Sequence, residues 1–182
     1  TELFPEVNYR LLNEEMIGRY AIRIWANASG EEEWGLFQRV ATIDAPGEDR
    51  IQIDQVMEIG GDTGLDLTGD GNPDAVLATY TGGAHCCTAT YAYDLGPDGA
   101  RLVLETPEAN PGGVFRDLDG DGVFEFITAD DSFAYEYCSY ADSYQVQVIM
   151  RYDPDQGMYV VASPQFPEAY ADEIIRTLRE AE

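Results

Sequence analysis

Short runs of alternating apolar and polar residues dominate this chain. Most repeat with the period of two that belongs to half-buried strands. Tyr20, Ile22 and Ile24 alternate with Ala21, Arg23 and Trp25. A run over residues 36–41 follows, and the two are separated by a turn and three consecutive glutamates, as in a hairpin. Residues 50–54 form a further run. The order of parts then repeats. Residues 75–80, 88–95 and 101–105 make one set of strands, with Gly96, Pro97, Asp98 and Gly99 as the turn between the last two. Residues 124–128, 144–152 and 158–161 make another, with a turn at 153–157. The pattern predicts an all-β protein of propeller-blade-like repeats, about three hairpin units in number. That is too few for a closed propeller of four or more blades. Within a single domain over 1–182, the units are a degenerate first β unit at 1–60, repeats at 61–113 and 114–166, and an end segment at 167–182. The last differs in period. Pro167 suits a helix's first turn, and Tyr170, Ile174, Ile175 and Leu178 share one helical face, which predicts a short C-terminal α-helix packed on a sheet.

Each of the two later repeats is entered through an acidic nine-residue loop. The first carries Asp66, Thr68, Asp70, Asn72 and Asp74 at alternate positions, and the second Asp117, Asp119, Asp121, Val123 and Glu125. The loops begin 51 residues apart, a spacing suited to a repeated β unit. Oxygen-bearing side chains at the first, third and fifth positions of a tight turn converge on one point. The seventh adds its backbone carbonyl, and a carboxylate closes the loop at the ninth, as a hard cation requires. Gly71 and Gly122 stand where the bend is sharpest. Asp-Gly pairs also occur in ordinary turns, but two copies in register, each leading into an apolar strand, point to Ca²⁺ at two sites. Mg²⁺ takes fewer protein ligands and fits less well. The loops are not EF-hands: their twelfth positions are Leu77 and Thr128, where that motif needs a bidentate carboxylate. The second loop offers four carboxylates and the first three, with the Thr68 hydroxyl in place of the fourth, so charge alone predicts tighter binding at the second.

The pattern Asp-x-Thr/Asp-x-Asp-Gly-x-x-Asp/Glu followed by a short apolar strand resembles the FG-GAP/VCBS-type repeat of integrin alpha-subunit propellers and many secreted bacterial proteins. The resemblance implies calcium ligation by Asp66, Thr68, Asp70, the Asn72 carbonyl and Asp74. In the second loop it implies Asp117, Asp119, Asp121, the Val123 carbonyl and Glu125. It also implies a structural rather than catalytic role for the loops.

Composition narrows the setting. Of 182 residues, 35 are acidic and 10 basic, every basic one arginine, for a formal charge of −25. Such a surface repels nucleic acid and anionic lipid. Two calcium ions would neutralise only a small part of it, and the rest fits a surface built for solubility or high salt. No apolar run reaches the roughly 20 residues of a membrane span. Calcium loops of extracellular modules bind at about 10⁻⁴ to 10⁻³ M, where the ion is plentiful. With a chain that starts at Thr1, this leads to the expectation of a secreted, periplasmic or cell-surface protein whose leader has been removed.

A second cluster comprises His85, the only histidine, with Cys86, Cys87 and Cys138. Three readings stand. A disulfide would join Cys138 to one neighbouring cysteine, and the strand phase shared with Tyr91 and Tyr93 favours Cys87. Alternatively, His85, Cys86, Cys87 and Cys138 would hold zinc or copper, or His85 would activate a thiol nucleophile. No catalytic constellation is complete, so the chain reads as a calcium-binding protein with a structural or binding role rather than an enzyme. A metal-handling protein or enzyme built on the cysteine cluster is the alternative. The tyrosine-rich segment 133–144, from Phe133 to Tyr144, reads foremost as aromatics packed over a sheet. With the corresponding segment 82–87, from Gly82 to Cys87, it is also where a protein or glycan ligand would bind.

Overall fold

The computed structural model describes residues 9–27, 39–82, 88–107, 112–143, 145–171 and 174. Among the described residues, twelve strands form three four-stranded antiparallel meanders in chain order. The first holds β1 (Tyr9–Ile17), β2 (Tyr20–Asn27), β3 (Arg39–Asp44) and β4 (Ile51–Asp54). The second holds β5 (Val56–Ile59), β6 (Asp74–Tyr80), β7 (Thr88–Gly96) and β8 (Gly99–Glu105), and the third β9 (Val114–Arg116), β10 (Glu125–Asp130), β11 (Val146–Asp153) and β12 (Met158–Val161). None of these sheets closes on itself, so the expected all-β, blade-like architecture is observed. Three strands beyond the predicted ones, β1, β5 and β9, complete each unit to four. β5 moves the first seam from residue 60 back to Gln55, a non-glycine residue with φ of 57° between two strands of different sheets.

The sheets pack face to face, and strand alternation determines which residues meet. Ala75 and Leu77 of β6 join Tyr20, Ile22, Ile24, Ala41 and Ile43 in a core between the first and second sheets. Val76 points the other way. With Ala92, Val103 and Leu104 it meets Phe115, Phe126 and Tyr159 between the second and third sheets. The middle sheet is thus covered on both faces, which explains why β7 is buried along most of its length rather than at every other residue. Gly113 permits this packing at one edge, because a Cβ there would run into the Phe126 ring.

The far face of the third sheet is covered by the chain's own continuation. Ile149, Ala162 and Phe166 form a small core with Ile127 and Tyr170. The covering segment winds through 3-10 turns at Ser163–Gln165 and Pro167–Tyr170, and Ala171 and Ile174, the described residues beyond them, are α-helical. Pro167 does open a helical turn as its fixed φ predicts, and Tyr170 does pack. Ile174, assigned to the same buried face, is 54% exposed. Ile175 and Leu178 lie outside the described residues.

Candidate metal centre

Both acidic loops end by becoming a strand: Asp74 is the first residue of β6 and Glu125 the first of β10. The turn before each is wound around its first aspartate. Asp66 accepts backbone N–H groups from Gly69 (2.8 Å), Asp70 (3.2 Å) and Gly71 (2.9 Å). Asp117 accepts from Gly120 (2.7 Å) and Gly122 (3.1 Å). The fifth-position aspartates reach forward in the same way, Asp70 to the N–H of Asn72 at 2.8 Å and Asp121 to that of Val123 at 2.9 Å. Gly71 and Gly122 have φ of 92° and 90°, so the sharp bend assigned to them from sequence is real and left-handed. The ninth carboxylates lie beneath the turns. Asp74 accepts the N–H groups of Leu67 (2.7 Å) and Thr68 (3.3 Å), and Glu125 that of Leu118 (2.9 Å). Ten side chains and carbonyls proposed as ligands therefore fall into two separate loops of one conformation.

The loops differ in what satisfies their oxygens. In the first, Asp74 is 0% exposed, yet among the described residues its Oδ1 has no hydrogen-bond partner, and the buried Oγ1 of Thr68 has none either. Buried polar atoms are nearly always paired, and leaving a carboxylate oxygen unpaired is costly. Both atoms stand at positions that the loop pattern assigns to ligands, and a third buried oxygen beside them, Asp94 Oδ1 of β7, is likewise unpaired among the described residues. Burial raises the Asp74 carboxyl to about 7; the Leu67 and Thr68 N–H groups oppose the rise, and neighbouring Asp94 and Asp70 add to it. In the second loop, oxygens of Asp117, Asp119 and Glu125 lie within 4.8 Å of one another. Arg151 of β11 reaches into this group, donating to Asp119 at 2.8 Å, to Glu125 at 2.9 Å and also to Asp121. Burial lifts the Glu125 carboxyl above its ordinary range, against the Leu118 N–H and the Arg151 charge.

Three residues that the loop pattern does not name belong to these sites. Asp94 of β7 pairs across the sheet with Asp74 and is buried, its outer oxygen held by Arg101 at 3.0 Å. Burial pushes its carboxyl upward too, against the Arg101 hydrogen bond. Arg151 is the second, and Tyr159 of β12 the third. The Tyr159 hydroxyl lies 3.2 Å from the carbonyl of Leu67 and 3.0 Å from that of Phe124. Phe124 N–H donates directly to the Leu67 carbonyl at 2.9 Å. Gly69 lies so near that a Cβ on it would stand 2.8 Å from Val123 Cγ2. The two loops are therefore adjacent, and together they form the junction of the second and third sheets. Asp94 is the only charged residue of β7 and Arg151 the only basic residue of β11, which is the sequence signal that singles them out.

The cysteine cluster is not assembled among the described residues. His85, Cys86 and Cys87 fall outside them, and with them the disulfide to Cys138 and the soft-metal site. Cys138 itself is exposed, its Sγ 3.7 Å from Ser143 Oγ. The neighbouring aromatics depart from the packing expected of them. Phe133 and Tyr135 are exposed and Tyr137 is 84% exposed, because the chain turns away from the sheet after β10 and folds on itself through Ser139, Asp142 and Ser143. Among the described residues, no helix is long and apolar enough to cross a membrane.

No family model matches this chain, and no solved structure matches it. Two curated proteins are similar over part of it. One, a probable thylakoid lumen protein of Synechocystis sp. (strain ATCC 27184 / PCC 6803 / Kazusa), is 32% identical over 96 residues, 52% of this chain and 28% of that protein. The other, an uncharacterized protein of Sinorhizobium fredii (strain NBRC 101917 / NGR234), is 30% identical over 84 residues, 46% of this chain and 13% of its own length. The matched regions thus span less than a third of either relative.

Proposed function

We propose that this chain is an extracytoplasmic calcium-binding β-repeat protein of the FG-GAP/VCBS kind, in which a bound ion fixes the junction between neighbouring sheets. The observation that carries this reading is the pair of buried, unpartnered ligand-position oxygens in the first loop, Thr68 Oγ1 and Asp74 Oδ1. Asp66, Asp70 and the Asn72 carbonyl would complete the oxygen set there. Bound calcium would supply positive charge beside the buried, mutually repelling carboxylates of Asp74 and Asp94 and the more exposed Asp66 and Asp70. Calcium suits the site better than magnesium because it accepts many protein oxygens in irregular geometry, whereas magnesium retains most of its waters. The fixed position of Asp66, held by three backbone N–H groups, means that little ordering remains when the ion arrives.

An extracytoplasmic setting is supported by the lumen location in the name of the Synechocystis relative and by the modest affinity of such loops, which suits calcium-rich compartments. The role is structural or binding rather than catalytic. The exposed aromatics Phe133, Tyr135 and Tyr137 are the surface on which a protein or glycan ligand would rest. Calorimetric titration with calcium tests the reading. Wild-type protein should release or absorb heat on binding, and Asp70→Ala should lose about tenfold or more in affinity, the equivalent of roughly 1.4 kcal/mol. No calcium binding by the wild type, or equal binding by Asp70→Ala, would refute it.

A further inference from the structure

We infer that the second acidic loop is closed by a cation of its own, the Arg151 guanidinium, so that the chain takes one divalent ion, at the first loop, and not two. This rests on the reading of the first loop given above. The pattern of the loops treats them as equals, and their carboxylate count favours the second. The strand opposite each loop reverses that order. Asp74 pairs with Asp94 in the β6–β7 ladder. One position before the Phe126–Met150 pair of the β10–β11 ladder, Glu125 stands opposite Arg151. The same place in two repeats of one fold thus holds an acid beside the first loop and a base beside the second.

The difference lies in where the positive charge sits rather than in its amount. An arginine is near each loop. Arg101 approaches the first from outside, bonding Asp94, the Tyr152 hydroxyl and the Gly157 carbonyl, and touches none of the ligand-position oxygens. Arg151 bonds three of the four side-chain ligands of the second loop, Asp119, Asp121 and Glu125. A guanidinium presents its N–H groups in a planar fork that can serve several carboxylates at once, which a lysine ammonium on its flexible stem does less well. The guanidinium carbon of Arg151 lies over the Phe166 ring, 5.9 Å from its centroid. The third- and ninth-position oxygens that lack partners in the first loop are the ones Arg151 satisfies in the second: Thr68 corresponds to Asp119 and Asp74 to Glu125. A calcium ion entering there would have to displace the arginine and bring a second positive charge beside it. The second loop is therefore a clasp that holds at any calcium level, and calcium dependence is confined to the first.

Calcium stoichiometry by calorimetry, on the wild type, Asp121→Ala and Arg151→Gln, tests this. The wild type should bind one ion, Asp121→Ala should bind it with affinity changed less than about twofold, well under the tenfold of 1.4 kcal/mol, and Arg151→Gln should bind two. Arg151→Gln leaves four carboxylates crowded and can fail to fold without calcium. Asp121 is on the exposed rim, so its variant stays informative in that case. Two ions on the wild type, or one ion that Asp121→Ala abolishes, would overturn the inference. A wild type that binds no calcium would overturn the proposed function instead. The guanidinium would then be judged by Arg151→Gln alone, a newly gained site supporting the inference and the absence of one overturning it.

Discussion

Asp74→Asn separates the charge of the ninth-position residue from its shape. The carboxylate is fully buried, with one oxygen held by two backbone N–H groups and the other unpaired. Its carboxyl rises from 3.8 to about 7 in the folded protein without metal. A raised carboxylate pKa is a penalty on folding that is complete above the folded value, shrinks as pH falls towards the unfolded value, and vanishes below it. At 1.36 kcal/mol per pH unit, the charge costs the metal-free protein on the order of 2–4 kcal/mol at pH 8. Asparagine keeps the acceptor for Leu67 and removes the charge. In a chelator at pH 8 it should therefore melt higher than wild type, by about 2–4 °C for each kcal/mol recovered in a chain of this size. Calcium should do the reverse. A ligand at a hundred times its Kd stabilises by about 2.7 kcal/mol, so the wild type should gain several degrees on calcium addition and the variant nearly none. The assay is thermal unfolding by circular dichroism with and without calcium. A variant less stable than wild type in chelator, with an undiminished calcium response, would refute the reasoning.

The same linkage gives a pH profile. Metal-free wild type should become more stable as pH falls from 8 to 5 through the Asp74 value of about 7, and its calcium increment should shrink over the same window; a flat apo profile would contradict this. Tyr159→Phe removes the hydroxyl shared by the Leu67 and Phe124 carbonyls and should cost about 1–2 kcal/mol in chemical denaturation. It should also weaken calcium binding, since the first loop loses a support. Gly113→Ala forces a methyl into the Phe126 ring, and in a packed core overpacking costs about 1–3 kcal/mol or more; an unchanged denaturation midpoint would show that the β9 edge is looser than described.

The repeat and its loops were legible in the chain because both depend on local order. Period-two alternation, Gly-Asp turns and a nine-residue spacing require no knowledge of what lies across the sheet. The unpredicted strands are those with weak alternation. β1 is mostly exposed on both faces, β5 is four residues long and β9 three, and their pairing partners hold them in place rather than their own pattern. The partners of the loops were hidden for a different reason. Asp94 and Arg151 meet Asp74 and Glu125 only through strand register, which the length and conformation of the intervening connection decide. Tyr159 joins the first loop from a different sheet, 92 residues away in sequence. Counting carboxylates along each loop therefore ranks the two in one order, while the side chains opposite them argue for the other. The exposed tyrosines of segment 133–144 show the same limit, since a run of aromatics does not disclose which way its backbone turns.

The proposed function stands on a calcium ion at the first loop. A crystal structure of the protein grown with calcium, recorded for anomalous scattering, addresses it most directly. An anomalous peak enclosed by Asp66, Thr68, Asp70, the Asn72 carbonyl and Asp74 is expected, with none beside Arg151. A first loop without a peak, its Thr68 and Asp74 oxygens bonded to water alone, would contradict it.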